Sequence, residues 1–467
     1  MICTLMTIVV SLSAQTAREE IKANKYLSAS NYVDYDNNPA TKALTPAPKG
    51  YEPYLMNHYG RHGSRWLTSE SSYTNPLASL QKAKEQGKLT ATGEDVLRQV
   101  ETVYASSIQR LGDLSSVGER QHHGIGRRMA QNFPEIFKKQ GVPIDARSTV
   151  VIRCILSMTA ECEELAAANP TARIHNDVSE SLQYYLNQPR NAFIKSVRQK
   201  TRTIRREMER QFREQLNAEH LSTLLFNDQQ WAKDSIKAGE LAYQLFDVAS
   251  NMQSHDMGLD LYPIFTPEEM YQQWRMRNIA WYLDYGAAPQ GGSVQPFSQK
   301  NLLKDIIQVA DTTRQTAAVL RFGHEVCVMP LACLLELGNC GLVTDDLENL
   351  DATWRNYNIF PMACNIQLVF YRKKSLNAKR SSLNDDDILV KALLNEREVT
   401  LPIKTKQYPY YKWKDLRAYY LERLKWYEHL EHAYDEGTPD ALVFRGFYTE
   451  PIPCLLEDIS GGDDVES

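Results

Sequence analysis

The stretch YLMNHYGRHGSRW, residues Tyr54 to Trp66, opens as an apolar run and ends in a cluster of two arginines, a histidine and two glycines. Tyr54 to Tyr59 reads as a short buried strand, and Gly60 and Gly63 bracket the place where it stops. In an open α/β sheet, ligands bind at the carboxyl ends of the strands, where loops lead into helices. His62 is expected at such an end, with Arg61 and Arg65 beside it. Working outward, Ser148–Cys154 (STVVIRC) is a second β-branched strand candidate, leading into the helical pattern SMTAECEELAAAN. Strand patterning returns in Ala317–Glu325 and Asn365–Arg372, with a helix expected over Pro330–Leu337 and stopped by Gly338. Further helices are expected after Asn75-Pro76, over Glu94–Tyr104 and over Glu119–Phe137. Between about Ala166 and Ser298 helical patterns dominate. The alternation on either side of that block predicts a doubly wound α/β domain interrupted by a mostly helical one. The expected division is an α/β catalytic part over 15–165 and 299–467 and a helical insertion over 166–298, ending in the Gly/Pro/Gln-rich linker Gly286–Ser298.

At 467 residues, 43% hydrophobic and 24% charged, the chain has the composition of a folded globular protein. Its formal net charge of −5 gives no basic footprint for nucleic acid. The aromatic-rich segment Tyr408–Tyr434 therefore reads as an amphipathic helix packed on the core, and not as a base-stacking platform. Ile2–Ala14 is mostly apolar and closes on Ser11-Leu12-Ser13-Ala14 before Gln15, which predicts a signal peptide over 1–14 and an exported protein, periplasmic or secreted. A buried N-terminal strand is the alternative. The run is too short to span a bilayer, and no later segment is long and apolar enough. Cleavage would remove Cys3 and leave Cys154, Cys162, Cys327, Cys333, Cys340, Cys364 and Cys454, an odd set without any C-x-x-C pair, so no zinc or redox motif is present.

The chemistry expected of Arg61-His62 comes from its residue types. Arg61 and Arg65 can aim planar guanidinium forks at one dianionic group, and Gly63 lets the backbone turn sharply between them. The natural ligand is phosphate. A neutral imidazole nitrogen is a competent nucleophile toward phosphorus, and neighbouring guanidiniums keep His62 unprotonated while stabilising the transferring group. The pair His324-Glu325 starts like the zinc-protease motif H-E-x-x-H, but Val328 occupies the second histidine position, so that reading fails on ligand count.

The segment RHGSR resembles the R-H-G-x-R-x-P signature of the histidine phosphatase superfamily, in the branch of acid phosphatases, phytases and multiple inositol polyphosphate phosphatases. The segment LSSVGERQHHGIGRRMAQNFP (Leu114–Pro134) is similar to that branch's second helical block, and IRCILSMTA (Ile152–Ala160) to its R-C-x-x-S element. RFGHEVCVMP (Arg321–Pro330) completes the set. The resemblance implies a phosphoglycerate-mutase-like sheet domain with a helical insertion over the active site, and no cofactor or metal. It implies that Arg61, Arg65, Arg153 and His324 hold the phosphate, that His62 is the nucleophile, and that Glu325 protonates the leaving oxygen. Two positions depart from the pattern: Leu67 stands where the signature has proline, and His-Glu stands where acid phosphatases have His-Asp and inositol polyphosphate phosphatases His-Ala-Glu. Ala363–Lys374 and Leu393–Pro402 look more like the inositol polyphosphate group.

The function expected on this basis is a phosphomonoester hydrolase acting on inositol polyphosphates such as phytate. A broad acid phosphatase on sugar phosphates and a catalytically silent phosphate-ligand binding protein are the alternatives. The basic helix Ala192–Leu216 offers Lys195, Arg198, Lys200, Arg202, Arg205 and Arg206 for the substrate's other phosphates, or else a solvated face with internal ion pairs. His122 and His123 read as helix-surface or packing residues, and His58 as a core residue behind the motif.

Overall fold

The computed structural model describes residues 15–37, 43–189, 191–216, 218–313, 315–374 and 387–437. The expected signal peptide, Cys3 and Cys454 lie outside the described residues. Eight strands form one mixed sheet: β1 (Tyr51–Arg61), β2 (Pro143–Ser148), β3 (Arg173–Asp177), β4 (Ala318–Gly323), β5 (Asn365–Lys373), β6 (Leu389–Leu394), β7 (Arg397–Val399) and β8 (Tyr411–Lys412). The order is β3-β2-β4-β1-β5-β6-β7, with β8 also on β6. The first four are parallel and the rest antiparallel, so β1 is the seam between the two halves.

Both faces of the sheet are covered, which is why its central strands read as continuous apolar runs. Leu55, Tyr59, Val319, Ile366 and Leu368 join one core, while Met56, Ala318, Leu320 and Phe322 join the other. The second core is roofed by the helices Ser116–Asn132 and Ile152–Ala168 through Ile125, Met129, Met158 and Leu165. On the first, the helix Trp413–Asp435 buries Trp413, Leu416, Tyr420, Leu424 and Tyr427, the amphipathic packing expected of the aromatic tail. No helix among the described residues is long and apolar enough to cross a membrane.

Several expected elements are corrected. The run Ser148–Cys154 is not a strand: β2 ends at Ser148 and the helix begins at Ile152, because Val150 and Ile152 point to solvent where a strand would bury them. Pro76 lies inside the helix Ser71–Glu85 and does not open it. The helix expected over Pro330–Leu337 is Glu325–Leu334, beginning directly after His324. The segment after Thr16, where the sequence suggests no element, carries the helix Ala17–Ala23 and the 3-10 run Lys25–Tyr32, with Ile21, Ala29 and Val33 buried.

The domain division also changes. Its boundary at 165/166 cuts the helix Ile152–Ala168, and β3, inside the block expected to be helical, extends the sheet. As a polar, largely exposed edge strand, RIHND carries no hydrophobic alternation to betray it. The helical core likewise draws Ile21, Leu77, Val96 and Leu97 from the N-terminal part together with Leu245, Phe246 and Trp274. The stretch Gly286–Ser298 is no linker. Phe297 stacks on Tyr427 at 4.6 Å, and Gln295 donates to the Leu283 carbonyl at 3.2 Å.

Candidate active site

The carboxyl ends of β1, β4 and β2 are level, with Arg61 opposite Gly323 and Ser148 opposite Phe322. The segments leaving these three strands therefore converge on one place: His62 after β1, His324 after β4, and Arg153 in the first turn of the helix after β2. The loop Arg61–Arg65 lies directly against the helix Ser116–Asn132. A Cβ on Gly63 would stand 2.3 Å from the Gly118 carbonyl, and one on Gly118 would stand 2.2 Å from the Ser64 carbonyl, so the approach admits only glycine on both sides. The Gly63 amide donates to Ser157 Oγ (3.1 Å), the Ser64 amide to Gln121 Oε1 (2.9 Å), and the Ser115 amide and hydroxyl to the Ser64 carbonyl (2.9 and 3.0 Å).

Within this frame the six residues expected at the site come together. His62 Nδ1 lies 2.8 Å from the Gly63 carbonyl, which can only accept, so the proton sits on Nδ1 and Nε2 keeps its lone pair. Burial, followed by the charges of Arg61, Arg153, Arg65 and His324, holds His62 well below the ordinary histidine range. Glu325 Oε2 lies 3.6 Å from His62 Nε2 and 3.1 Å from Arg61 Nε. Burial alone would raise the Glu325 carboxyl, but Arg61 and Arg65 outweigh it and bring it down to about 2. The His324 ring faces His62 edge-on at 5.6 Å and is depressed to about 4, chiefly by burial and against the pull of Glu325.

The guanidiniums are anchored by backbone carbonyls at one end. Arg61 Nη1 donates to Asn31 (2.6 Å) and Phe360 (3.1 Å), Arg65 Nη1 to Trp66 (2.9 Å), and Arg153 Nη1 to Gly112 (3.3 Å). Arg61 Nη2, Arg65 Nε and Arg153 Nε are buried without a hydrogen-bond partner among the described residues. Such donors are kept for a ligand rich in acceptors. His62, His324 and Glu325 could each offer one ligand atom to a metal, all within 4.8 Å of one another. Three guanidiniums around the same point make the site positive, which suits an anion and opposes a cation.

The basic helix, Ala192–Gln215, divides. Lys195, Lys200 and Arg206 are exposed. Arg198 packs over the Tyr285 ring at 4.7 Å and donates to Gln188 Oε1 at 2.9 Å; half-buried Arg202 acts electrostatically on Tyr285 and Asp284. Arg205 pairs with Asp284 (3.0 Å) and Glu209 (2.9 Å). Beside this arginine–histidine cluster lies a cavity of about 310 Å³ whose lining includes Asn31, Tyr32, Arg205, Asp247, Arg277 and Tyr285. Tyr32 links the two, its ring 5.6 Å from the Arg65 guanidinium. Buried Arg277, 3.4 Å from Asp247, has Nε and Nη2 unpartnered among the described residues. Tyr32 and Arg277 leave no signal in the sequence: one closes the 3-10 run Lys25–Tyr32 and the other lies in the helix Pro267–Tyr285, and neither belongs to a motif. Of the two readings of His122, helix surface or packing, the structure shows the second: it is buried and contacts the Arg61 carbonyl. Cys154, Cys162, Cys327, Cys333, Cys340 and Cys364 are buried free thiols.

Residues 60–395 match the family model of the histidine phosphatase superfamily, branch 2. The chain belongs to that superfamily. Among solved structures, this branch 2 histidine phosphatase is similar to the Bifidobacterium longum multiple inositol polyphosphate phosphatase in complex with inositol hexasulfate. The TM-score is 0.66 at 17% identity, covering 84% of this chain and 97% of that one. It is also similar to the phytase from D. castellii, with a TM-score of 0.62 at 12% identity, covering 86% and 85%. No curated protein matches the chain significantly. At these identities the structural likeness shows a shared fold. The histidine phosphatase assignment itself rests on the family match.

Proposed function

We propose that this histidine phosphatase hydrolyses phosphomonoesters through a phosphohistidine on His62, with inositol polyphosphates as its substrate class. The observation that carries the reading is a buried imidazole whose Nε2 lone pair is free, set among three guanidiniums with spare donors and 3.6 Å from a carboxylate. A phosphate dianion enters between Arg61, Arg65, Arg153 and His324. His62 Nε2 attacks phosphorus in line, the P–O ester bond breaks, and the leaving oxygen takes a proton from Glu325. Water then attacks phosphorus and gives a proton to Glu325; the new P–O bond forms as the P–N bond breaks, releasing inorganic phosphate and the neutral imidazole.

A carboxyl held at about 2 in the empty site is ionised and cannot donate. The incoming dianion supplies the remedy. It draws Arg61 and Arg65 onto its own oxygens and sets two negative charges near Glu325, and both changes favour the protonated carboxyl. Binding of an inert anion such as sulfate should therefore take up a proton. The measure is titration calorimetry in buffers of different ionisation enthalpy, and uptake should be smaller in Glu325→Gln, the remainder belonging to His324 beside the same anion.

The inositol assignment is supported by the adjoining cavity with its buried Arg277 and by the neighbour solved with inositol hexasulfate. A second reading, simple sugar phosphates, is favoured by Asp247, Asp284 and Glu209, which already neutralise Arg277 and Arg205. The kcat/KM ratio for inositol hexakisphosphate over glucose phosphate decides between them. A ratio above one supports the first reading, and its collapse in Arg277→Met would locate the cause. The apolar start Ile2–Ala14 supports export to the periplasm or beyond.

A further inference from the structure

Of the four backbone polar groups of Arg61 and His62, three are held by the backbone of neighbouring segments. The Arg61 amide donates to the Cys364 carbonyl (2.8 Å), the His62 amide to the Gly323 carbonyl (2.9 Å), and the His62 carbonyl accepts from the Ala363 amide (3.1 Å). The remaining group is the Arg61 carbonyl, at the end of β1. Its partner is a side chain, His122 Nε2 at 3.1 Å. A carbonyl only accepts, so Nε2 carries a hydrogen. On its other side His122 Nδ1 lies 3.0 Å from Glu161 Oε2, with both side chains sealed from solvent. One proton between Nδ1 and the carboxyl completes this contact.

We infer that His122, oriented by Glu161, is a positioning residue that fixes the Arg61–His62 peptide and with it the aim of the nucleophile. The inference rests on the phosphatase reading above. Glu161 lies on the helix Ile152–Ala168, where Arg153, Ser157 and Glu161 fall four residues apart and so share one face. Arg153 reaches the anion site, Ser157 takes the Gly63 amide, and Glu161 clamps His122: one helix face addresses the whole loop. The helix Ser116–Asn132 answers with Gln121 on Ser64 and His122 on Arg61. The spacing between the two helices is tightly set, since a Cβ on Gly126 would lie 2.6 Å from the Glu161 carbonyl.

Two further titratable groups lie beside the pair: Cys162, whose thiol burial and Glu161 push up to about 12, and His58 on β1, Nε2 3.9 Å from Glu161 Oε1, which burial lowers to about 4. A buried imidazole and carboxylate are costly where an apolar pair would pack, which is a reason to look for a task beyond stability. That task is geometric. His62 must meet phosphorus in line, its own Nδ1 is tied to the next carbonyl, and so its ring direction is set by the peptide that His122 holds. A misplacement of about 1 Å costs up to about 100-fold in rate.

The test uses p-nitrophenyl phosphate turnover, inhibition by inorganic phosphate and Tm on the full chain. His122→Leu should lower kcat by about 10- to 100-fold while the phosphate inhibition constant moves by less than about threefold. His122→Gln, whose amide nitrogen reaches the place of Nε2, should recover most of that loss. His122→Asn, which can still meet Glu161 but falls short of Arg61, should not. If His122→Leu does not fold, the Gln and Asn variants carry the same contrast. Wild-type kcat in Leu or Asn overturns the inference. So does a parallel fall of kcat and phosphate affinity that Gln fails to relieve, which would mean packing alone. An inactive wild-type protein overturns the phosphatase reading and this inference with it, whereas an active wild type with a normal Asn variant overturns only the positioning role.

Discussion

The two sides of the site are built differently. The phosphate side is one contiguous loop, Arg61 to Arg65, pressed glycine-to-glycine against a helix and hydrogen-bonded through its backbone, with guanidinium donors held in reserve. The cavity side is gathered from Asn31, Tyr32, Asp247, Arg277 and the Arg205–Asp284 pair, distant in the chain and mixed in charge. The first is rigid and single-purpose, as chemistry at one phosphorus atom demands. The second has arginines that a substrate must win from carboxylates, so selectivity there is a difference between two pairings.

Perturbations should fall in the same order. His62→Ala should abolish turnover, by about 10⁴-fold or more, while the arginine cluster still binds phosphate, measured by kcat and by phosphate titration. Glu325→Gln should cost about 10²- to 10³-fold on inositol phosphates and far less on p-nitrophenyl phosphate, whose phenolate leaves with little proton help; equal losses would remove its acid role. Arg277→Met should raise KM for inositol hexakisphosphate by about tenfold and leave p-nitrophenyl phosphate unchanged; a matching change in both would merge the two sides of the comparison. Lys195→Ala, on the exposed face of the basic helix, should change either substrate by less than about twofold in KM. The pH dependence sharpens the contrast further. Because His62 is held well below the ordinary histidine range, its neutral nucleophilic form persists as pH falls, and the acid limb of single-turnover transfer should lie below that range.

The same asymmetry explains what the sequence disclosed. The cluster around His62 is legible because strand end, glycine turn and charged side chains are neighbours in the chain, and the level ends of β1, β2 and β4 bring Arg153, His324 and Glu325 to them. In the parallel half, β1 and β4 are legible from their apolar runs. The edge strand Arg173–Asp177 was not, since it buries too little to show a pattern, and neither was the buried stretch Gly286–Ser298, whose composition mimics a linker. The R-C-x-x-S element points to Arg153 but not to the structure that carries it: VVI before it looks like a strand, yet those residues turn a corner and start a helix. The sequence leaves His122 and His123 open between surface and packing, because on a helix two adjacent histidines face different ways and only the fold decides which is inside. Of the pair, His122 is buried and His123 half-buried. Arg277 left no signal at all, because an arginine in a helix becomes a site only through what the fold sets opposite it.

The central claim is a phosphoryl group carried on His62. Rapid mixing with inositol hexakisphosphate, denaturing quench under alkaline conditions that preserve phosphohistidine, and mass spectrometry of the peptide bearing Arg61-His62-Gly63 test it directly. The account predicts a transient phosphoryl adduct on His62 that forms and decays at rates compatible with kcat and is absent from His62→Ala. Turnover at the normal rate with no adduct, or an adduct on another residue, would contradict it.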